Sequence, residues 1–457
     1  MHSKWGRKTS VTLMALAAGV AGLTSANTAW ADEEGRVKEL EERLVEMERQ
    51  LAEMQDRGGM AAGFSSELEA RVAELEKASN ISKHGLFWGW KDGMNASSAD
   101  GKFKLKFGGR IMNDFIFWSG DDDTETALGA LKTGAEFRRA RLYVSGDIYE
   151  NVAFKAQYDF AGGAVGFKDV YIAMKTGLGT VTVGNHYVPL GFEEQVSSKY
   201  ITFMERGMAN TFNPSRQNGV SLGDDAGEWN WRFGMFRPTD GAGNDLDNSG
   251  DGEWNFFGRV AGRPWVDKEN EQYLHVGASA GLLRYAGEEV RYRQRPETHI
   301  GPRFVDTSTI AAQEGTTYGL ETAFVSGPFH AEAEWSRVDV DVIGDSEATF
   351  DAFYISAGMF LTGESRPYKG SFFGRVKPKK NWGDEGGNGA WEIAARYSTI
   401  DLDDGSIKGG EVDVITLGLN WYLNPVTRIM LNVNFIDPDA PDTDDVHAVQ
   451  IRFQIDF

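Results

Sequence analysis

The 457-residue chain has no cysteine. That excludes disulfide scaffolds, cysteine-based zinc modules and thiol nucleophiles, and it suits a chain that crosses an oxidising compartment without forming stray bridges. Positive charge is also scarce, with 47 Lys plus Arg against 68 Asp plus Glu and a formal charge of −21, which argues against nucleic acid as a partner. After the first few dozen residues no apolar run is long enough for a transmembrane helix, and a mean hydropathy of −0.40 is too polar for a helical membrane protein. Any insertion into a membrane must therefore use strands. What is abundant fits that route: 55 glycines and 12% aromatic residues indicate a β-rich chain with many turns.

Residues 1–31 read as a signal peptide. His2, Lys4, Arg7 and Lys8 make a basic start, Val11 to Leu23 is mostly apolar, and Ala29-Trp30-Ala31 offers small residues at a cleavage site. Residues 32–80 then carry Val37, Leu40, Leu44, Met47, Leu51 and Met54 at alternating steps of three and four, the seam of a coiled coil. Gly58-Gly59 interrupts the seam, and Leu68, Val72 and Leu75 resume it in the same phase. The reading is a self-associating α-helical stalk, joined by Asn80 to Gly85 to the remainder of the chain.

From about residue 100 the hydrophobic period becomes two. Val449, Ile451, Phe453, Ile455 and Phe457 alternate with Gln450, Arg452, Gln454 and Asp456; Ile429 to Phe435 and Ile415 to Leu423 repeat the pattern. One face suits lipid and the other water. Short turns such as Thr176 to Gly179 and Asn424-Pro425 alternate with acidic loops at Asp121 to Asp123, Asp240 to Glu253, Asp401 to Asp404 and Asp437 to Asp445. A soluble sandwich also alternates, but the signal peptide, the aromatic terminus and the loop asymmetry favour an outer-membrane barrel over residues 81–457. About 16 antiparallel strands are expected, a number that leaves a water-filled lumen.

The alternation also selects inward residues. With Phe103, Leu105 and Phe107 toward lipid, Lys102, Lys104, Lys106 and Arg110 face the lumen; with Ala140, Leu142 and Val144 toward lipid, Arg139, Arg141, Tyr143 and Ser145 do. Arg138 has the opposite parity, so it joins Arg139 at a constriction only if the strand bends there. The apolar segment from Gly191 through Ile201 to Arg216 is expected to fold into the lumen, bringing Arg206 or Arg216 toward that pair; a subunit contact is the other explanation for Phe203 and Met204. Arg291, Arg293 and Arg295 are spaced by two, so an extended backbone lines them up as successive anion sites. Gly363 to Gly389, long for the periplasmic side, contains Lys369, Arg375, Lys377, Lys379 and Lys380 and is expected to form a basic inner mouth.

Several stretches resemble the phosphate-selective porin O and P family: Phe137 to Leu142, Thr182-Val183-Gly184 with Pro189-Leu190-Gly191, Ser197-Ser198 with Ile201 to Arg206, Arg291 to Glu297, Gly363 to Tyr368 with Gly374 to Pro378, and Leu417 to Pro425. The resemblance covers about residues 100–457. It implies a trimeric 16-stranded outer-membrane channel for phosphate-type anions, with inward-folded loops, an arginine ladder, an arginine constriction and lysines toward the periplasm. On this chain the ladder is Arg291, Arg293 and Arg295. The constriction is Arg138 and Arg139 with Arg206 or Arg216, and the lysines fall among Lys102 to Lys106 and Lys377 to Lys380.

The acid surplus of the barrel region sets a second reading beside this one: a general-diffusion porin whose stalk links the envelope, through the cell wall or between subunits. An enzyme is the third. His186, His275, His299, His330 and His447 are scattered, and no catalytic or metal-ligand spacing stands out, so no catalytic residue, metal or cofactor is expected. The expected partners are outer-membrane lipids, phosphate-type anions and two further copies of the chain, with the stalk in the periplasm.

Overall fold

The computed structural model describes residues 86–90, 93–98, 100–244, 254–439, 443 and 445–457. The expected signal peptide and coiled-coil stalk lie outside the described residues, as does most of the loop from Asp240 to Glu253. Two short strands, Leu86–Trp90 and Met94–Ser98, come first.

Sixteen long strands follow. They are β1 Phe103–Ser119, β2 Gly134–Ile148, β3 Val152–Asp159 and β4 Gly166–Thr176, then β5 Gly179–Tyr187, β6 Arg216–Ala226, β7 Trp229–Arg237 and β8 Asn255–Asp267. The second half comprises β9 Gln272–Arg284, β10 Ile310–Ser326, β11 Phe329–Val342 and β12 Ala348–Phe360, with β13 Ala390–Asp404, β14 Ile407–Asn424, β15 Thr427–Asp439 and β16 Val446–Asp456. Each strand pairs with its sequence neighbours, and β16 returns antiparallel to β1 in a register from His447↔Ser119 to Asp456↔Arg110. The sheet is thus a closed 16-stranded antiparallel barrel, which leaves no strand edge exposed.

The outward face carries the apolar set read from the sequence. Phe117, Leu417 and Phe453 are about half exposed, at 49%, 47% and 49%, as befits side chains on the lipid-facing side of a barrel. Trp391 stacks on Trp421 with ring centroids 5.0 Å apart, and Trp265 on Phe324 at 6.4 Å. All four lie near the short turns, the place of an interfacial aromatic girdle.

Two of the expected acidic loops are ordered structure. Asp401 to Asp404 continues β13, pairing as Asp401↔Glu411 and Asp403↔Lys408 and leaving a tight turn at Gly405 and Ser406. The carboxylate of Asp403 meets Lys408 at 3.3 Å and accepts the Gly410 N–H at 2.7 Å, so its charge is satisfied within the hairpin. Asp121 caps a short helix, α1 (Asp122–Leu128), by accepting the Thr124 N–H at 2.7 Å. The acids of its first turn sit at the positive end of the helix dipole.

The inner face does not stay polar along its length. In β11 the inward residues run His330, Glu332, Glu334, Ser336 and then Val338 and Val340; in β14 Asn420 and Thr416 give way to Val414 and Val412. The apolar ends pack with Phe350, Ile400, Leu402, Phe304 and Val305, the last two contributed by residues 285–309 between β9 and β10. The expected basic inner mouth is partly an insertion as well. Residues 361–389 lie at the short-turn end, but Arg366 and Phe373 are 1% exposed, and the Phe373 ring is 5.0 Å from that of Phe192 in another inserted loop. Burying these apolar side chains keeps both segments inside the barrel, at roughly 25 cal/mol per Å² of apolar surface removed from water.

Candidate functional site

The segment between β5 and β6, residues 188–215, enters the lumen at Gly191. There φ is +65°, and a Cβ would collide with Asn213 and Glu334, so only glycine allows the turn. Glu334 of β11 accepts the N–H groups of Phe192 and Glu193 at 3.1 Å each and a bond from Asn213 at 3.0 Å. Further on, Asn420 donates to the Thr202 carbonyl, Arg396 to that of Glu205 and Ser336 to that of Ala209. Phe203 lies over Gly418, where a Cβ would stand 3.2 Å from its ring. Wall side chains thus satisfy the carbonyls of a buried loop, as its backbone requires. The loop is held against β11 to β16.

Opposite that contact lies a basic wall. Arg110, Arg139, Arg141, Lys168 and Arg216 are within electrostatic reach of one another. Arg141 is paired with Asp159 at 2.7 Å, and Arg216 with Asp169 at 2.6 Å, its guanidinium 3.7 Å above the Tyr187 ring. Lys155 shares Asp169. Among the described residues Arg110 bonds only hydroxyls, Ser198 at 2.6 Å and Ser197 at 3.4 Å. Arg139 has the Met112 sulfur at 3.6 Å, a carboxylate no nearer than 4.0 Å, and an Nε without a partner among the described residues. Both side-chain polar atoms of Gln157, 1% exposed, are likewise unpartnered there.

Two breaks in the alternation create this density. The Ala140 N–H donates to the Asp159 carboxylate at 3.1 Å, and Arg138 lies beyond the part of β2 that pairs with β3, whose register begins at Arg141↔Asp159. Arg138 and Arg139 therefore both reach the inserted loop. Between β3 and β4 a one-residue shift separates Ala156↔Val170 from Tyr158↔Phe167. This bulge sends Phe167 outward onto Tyr158, at 5.0 Å, and turns Lys168 inward toward Arg141 and Asp159.

Of the two loop-end arginines, Arg206 stays within its own loop. Its guanidinium donates to the carbonyls of Glu193 and Val196 at 2.9 Å each and meets the Glu194 carboxylate at 3.2 Å. Its neighbour Glu205 is the residue that meets the expected pair, bonding Arg138 through both oxygens at 2.8 Å. Burial works to raise the Glu205 carboxyl, but Arg138, Arg139 and Arg452 outweigh it and hold the group well below the usual carboxylate range.

In the outer loop Tyr292 packs inward against Phe212 and Phe350, at 5.4 and 6.0 Å, so Arg291, Arg293 and Arg295 share the opposite side. Arg291 forks Asp306 at 2.6 Å twice, Arg295 bonds the Gly301 carbonyl at 2.8 Å, and Arg293 is exposed. Arg303 joins them: burial, then Arg295 and Arg293, lower its affinity for its proton. The loop tip plunges inward, where Glu297, 3% exposed, meets Thr416 at 2.6 Å and pairs with Arg396.

At the other end Lys104 and Lys106 keep the parity of inward-facing Arg110 and Met112 along β1. Lys102 is exposed, 4.0 Å from Asp100. Lys369, Lys377, Lys379 and Lys380 are exposed, whereas Arg375 and Lys199 both pair with Asp456. Burial lowers the Lys199 ammonium to about 8, against the opposing pull of Asp456. Sequence reasoning missed Lys155, Lys168, Lys199, Glu205, Arg303 and Arg366. Arg366, Glu205 and Lys199 stood in segments already singled out, and Lys155 shares the inward parity of Gln157 and Asp159 along β3; Lys168 and Arg303 carried no signal in the alternation.

Residues 105–457 match a family profile described as phosphate-selective porin O and P. An uncharacterized protein of Caulobacter vibrioides is 35% identical over 360 residues, covering 76% of this chain and 71% of its own. Porin O of Pseudomonas aeruginosa is 25% identical over 384 residues, covering 74% and 84%. Among solved structures, the anion-selective porin from Comamonas acidovorans superposes with a TM-score of 0.50 at 13% identity, over 78% of this chain and all of that one. At that identity the likeness concerns the fold.

Proposed function

The chain belongs to the phosphate-selective porin O and P family, and on that premise we propose that this outer-membrane porin passes phosphate-type anions by passive diffusion along its basic wall. The observation that carries the reading is an imbalance. Among the described residues the set Arg110, Arg138, Arg139, Arg141, Lys155, Lys168 and Arg216 forms direct ion pairs with three carboxylates, Asp159, Asp169 and Glu205, while Asp456 and Glu194 act on Arg110 and Arg216 without direct contact, so cations still outnumber acids. An acidic total elsewhere matters less, because screening over about 8 Å confines distant charge while a narrow low-dielectric passage focuses local charge. Guanidinium groups replace part of an anion's hydration, and bidentate geometry matches phosphate oxygens better than a halide. Arg293 and Arg303 at the outer mouth, Arg139 with Arg110 midway, and Lys104 and Lys106 toward the periplasm provide sites in series, so that no single one becomes a trap.

The assembly we propose is a homotrimer, the state the family resemblance implies, with the heptad segment as a periplasmic stalk that holds subunits together or reaches the cell wall. Single-channel current across a planar bilayer with a chloride gradient, followed by phosphate titration, tests the reading. An anion-selective reversal potential with phosphate block, weakened in Arg139→Ala, is the expected result. Cation selectivity without phosphate block would establish a general-diffusion porin instead.

A further inference from the structure

Where Arg138 and Arg139 meet the inserted loop, the guanidinium groups already hold an anion, and it is part of the chain. Both oxygens of Glu205 are engaged: Arg138 forks them at 2.8 Å each, and Arg452 adds a bond of 2.8 Å to the first. Arg139 stands 4.0 Å away with an Nε that has no partner among the described residues. Arg452 is independently secured by its own fork to Asp114, at 2.7 and 2.6 Å.

From this geometry we propose that Glu205 is a resident competitor for the permeating anion, a specificity-determining carboxylate that occupies Arg138 in the empty channel and is displaced from it as an oxyanion passes. The inference rests on the anion-conduction reading above.

Three features give it content. First, the carboxylate can leave without the loop. The backbone on either side is pinned by Arg452 to the Met204 carbonyl, Arg396 to the Glu205 carbonyl at 2.9 Å and Ser398 to the Met208 N–H at 2.8 Å, so displacement requires side-chain rotation only. Second, the place vacated is a fork. A tetrahedral oxyanion presents two oxygens to Arg138 and a further one toward Arg139, whereas chloride is a single sphere that leaves one arm of the fork unpaired. Third, a site occupied by its own competitor binds any external anion with an affinity reduced by the unoccupied fraction. That reduction falls on every anion, and only those that restore the fork recover the loss. Affinity is thereby lowered to a level compatible with release, and discrimination between oxyanions and halides is kept.

The test uses the full-length protein in planar bilayers, measuring the phosphate concentration that halves the chloride current. Glu205→Gln is expected to lower that concentration on the order of ten-fold, because the amide retains the shape but no longer competes as a charge, and to raise chloride conductance at low salt. Glu205→Asp should restore values near those of the unsubstituted protein. Ser336→Ala controls for loosening of the loop, since it removes the 2.6 Å tether to Ala209 far from the anion side. Unchanged block in Glu205→Gln, or an equal shift in Ser336→Ala, would overturn the proposal. Absence of phosphate block in the unsubstituted protein would instead defeat the anion-conduction reading itself, and this inference with it.

Discussion

The two halves of the barrel wall use the same alternation to opposite ends. Strands β10 to β16 turn Glu321, Glu334, Glu392, Arg396, Arg428 and Arg452 inward, and each meets a hydrogen-bonding partner on an inserted loop or a neighbouring strand. Strands β1 to β6 turn inward cations that outnumber their paired carboxylates, and the inserted loop meets them at Arg110, Arg138 and Arg139 mainly through two serine hydroxyls and the single carboxylate of Glu205. Inward-facing charge in a barrel therefore has two fates. Paired, it anchors protein; in excess, it is left to attract a mobile ion. What separates these fates is the count and placement of partners, together with the two breaks in alternation that crowd cations onto the β1 to β6 side.

The sharpest way to break the comparison is to unpair a charge on the clad side. Arg366 is fully buried, with Glu392 at 3.3 Å, the Thr202 hydroxyl at 3.0 Å and the Tyr200 carbonyl as partners. Arg366→Ala should cost about 3–5 kcal/mol through the uncompensated Glu392 charge and lower the temperature at which the barrel loses its heat-modifiable mobility on a gel. On the basic side Arg139→Ala should do the reverse, leaving that temperature nearly unchanged while raising the half-blocking phosphate concentration about ten-fold, the loss expected for one charge-assisted contact of ~1.5–3 kcal/mol. If Arg139→Ala destabilises as much as Arg366→Ala, the division into structural and permeation charge fails.

At the outer mouth the effect should be smaller. Arg303→Ala is expected to weaken block about three-fold at low ionic strength and much less near 1 M salt, where screening falls to ~3 Å; an effect insensitive to salt would remove Arg303 from the approach path. The smallest change comes from Lys199, whose folded value of about 8 lies below the ordinary lysine value because of burial. Its charge is present below that pH and lost between about pH 7 and 9. Since the unfolded chain then holds the extra proton, this group makes stability rise with pH above about 8 while anion preference falls. Reversal potentials with sulfate, whose charge is constant over this range, should show the decline in the unsubstituted protein and not in Lys199→Met.

The barrel was legible because its signal is repeated. A period of two in strand after strand, with Phe453, Ile455 and Leu417 on one parity, leaves few alternatives to a closed sheet. The inserted loop was legible because Ile201 to Met204 is too apolar for solvent. The charged surface was readable only where the period held, at Arg110, Arg139 and Arg141. Lys168 was hidden by the bulge between β3 and β4, and the joint inward turn of Arg138 and Arg139 depends on a carboxylate from the next strand taking a backbone N–H. Local rules cannot foresee a bulge, because it arises from pairing with a partner strand. Arg206 misled for the opposite reason: being next to the right place, it is consumed by its own loop's carbonyls, and Glu205 takes the contact.

The seam between β1 and β16 also sets an order of assembly. Arg452 and Asp114, joined at 2.7 Å, are 338 residues apart in the chain. The same last strand supplies the bonds of Arg452 to Met204 and Glu205, of Gln454 to the Lys199 carbonyl and of Asp456 to the Lys199 ammonium. Until β16 has arrived, the inserted loop lacks a large part of its bed. Contacts so distant in sequence form late and slowly. The eleven residues of β16, Val446–Asp456, thus couple two closures: a chain that lacks them has neither a sealed wall nor a fully seated loop.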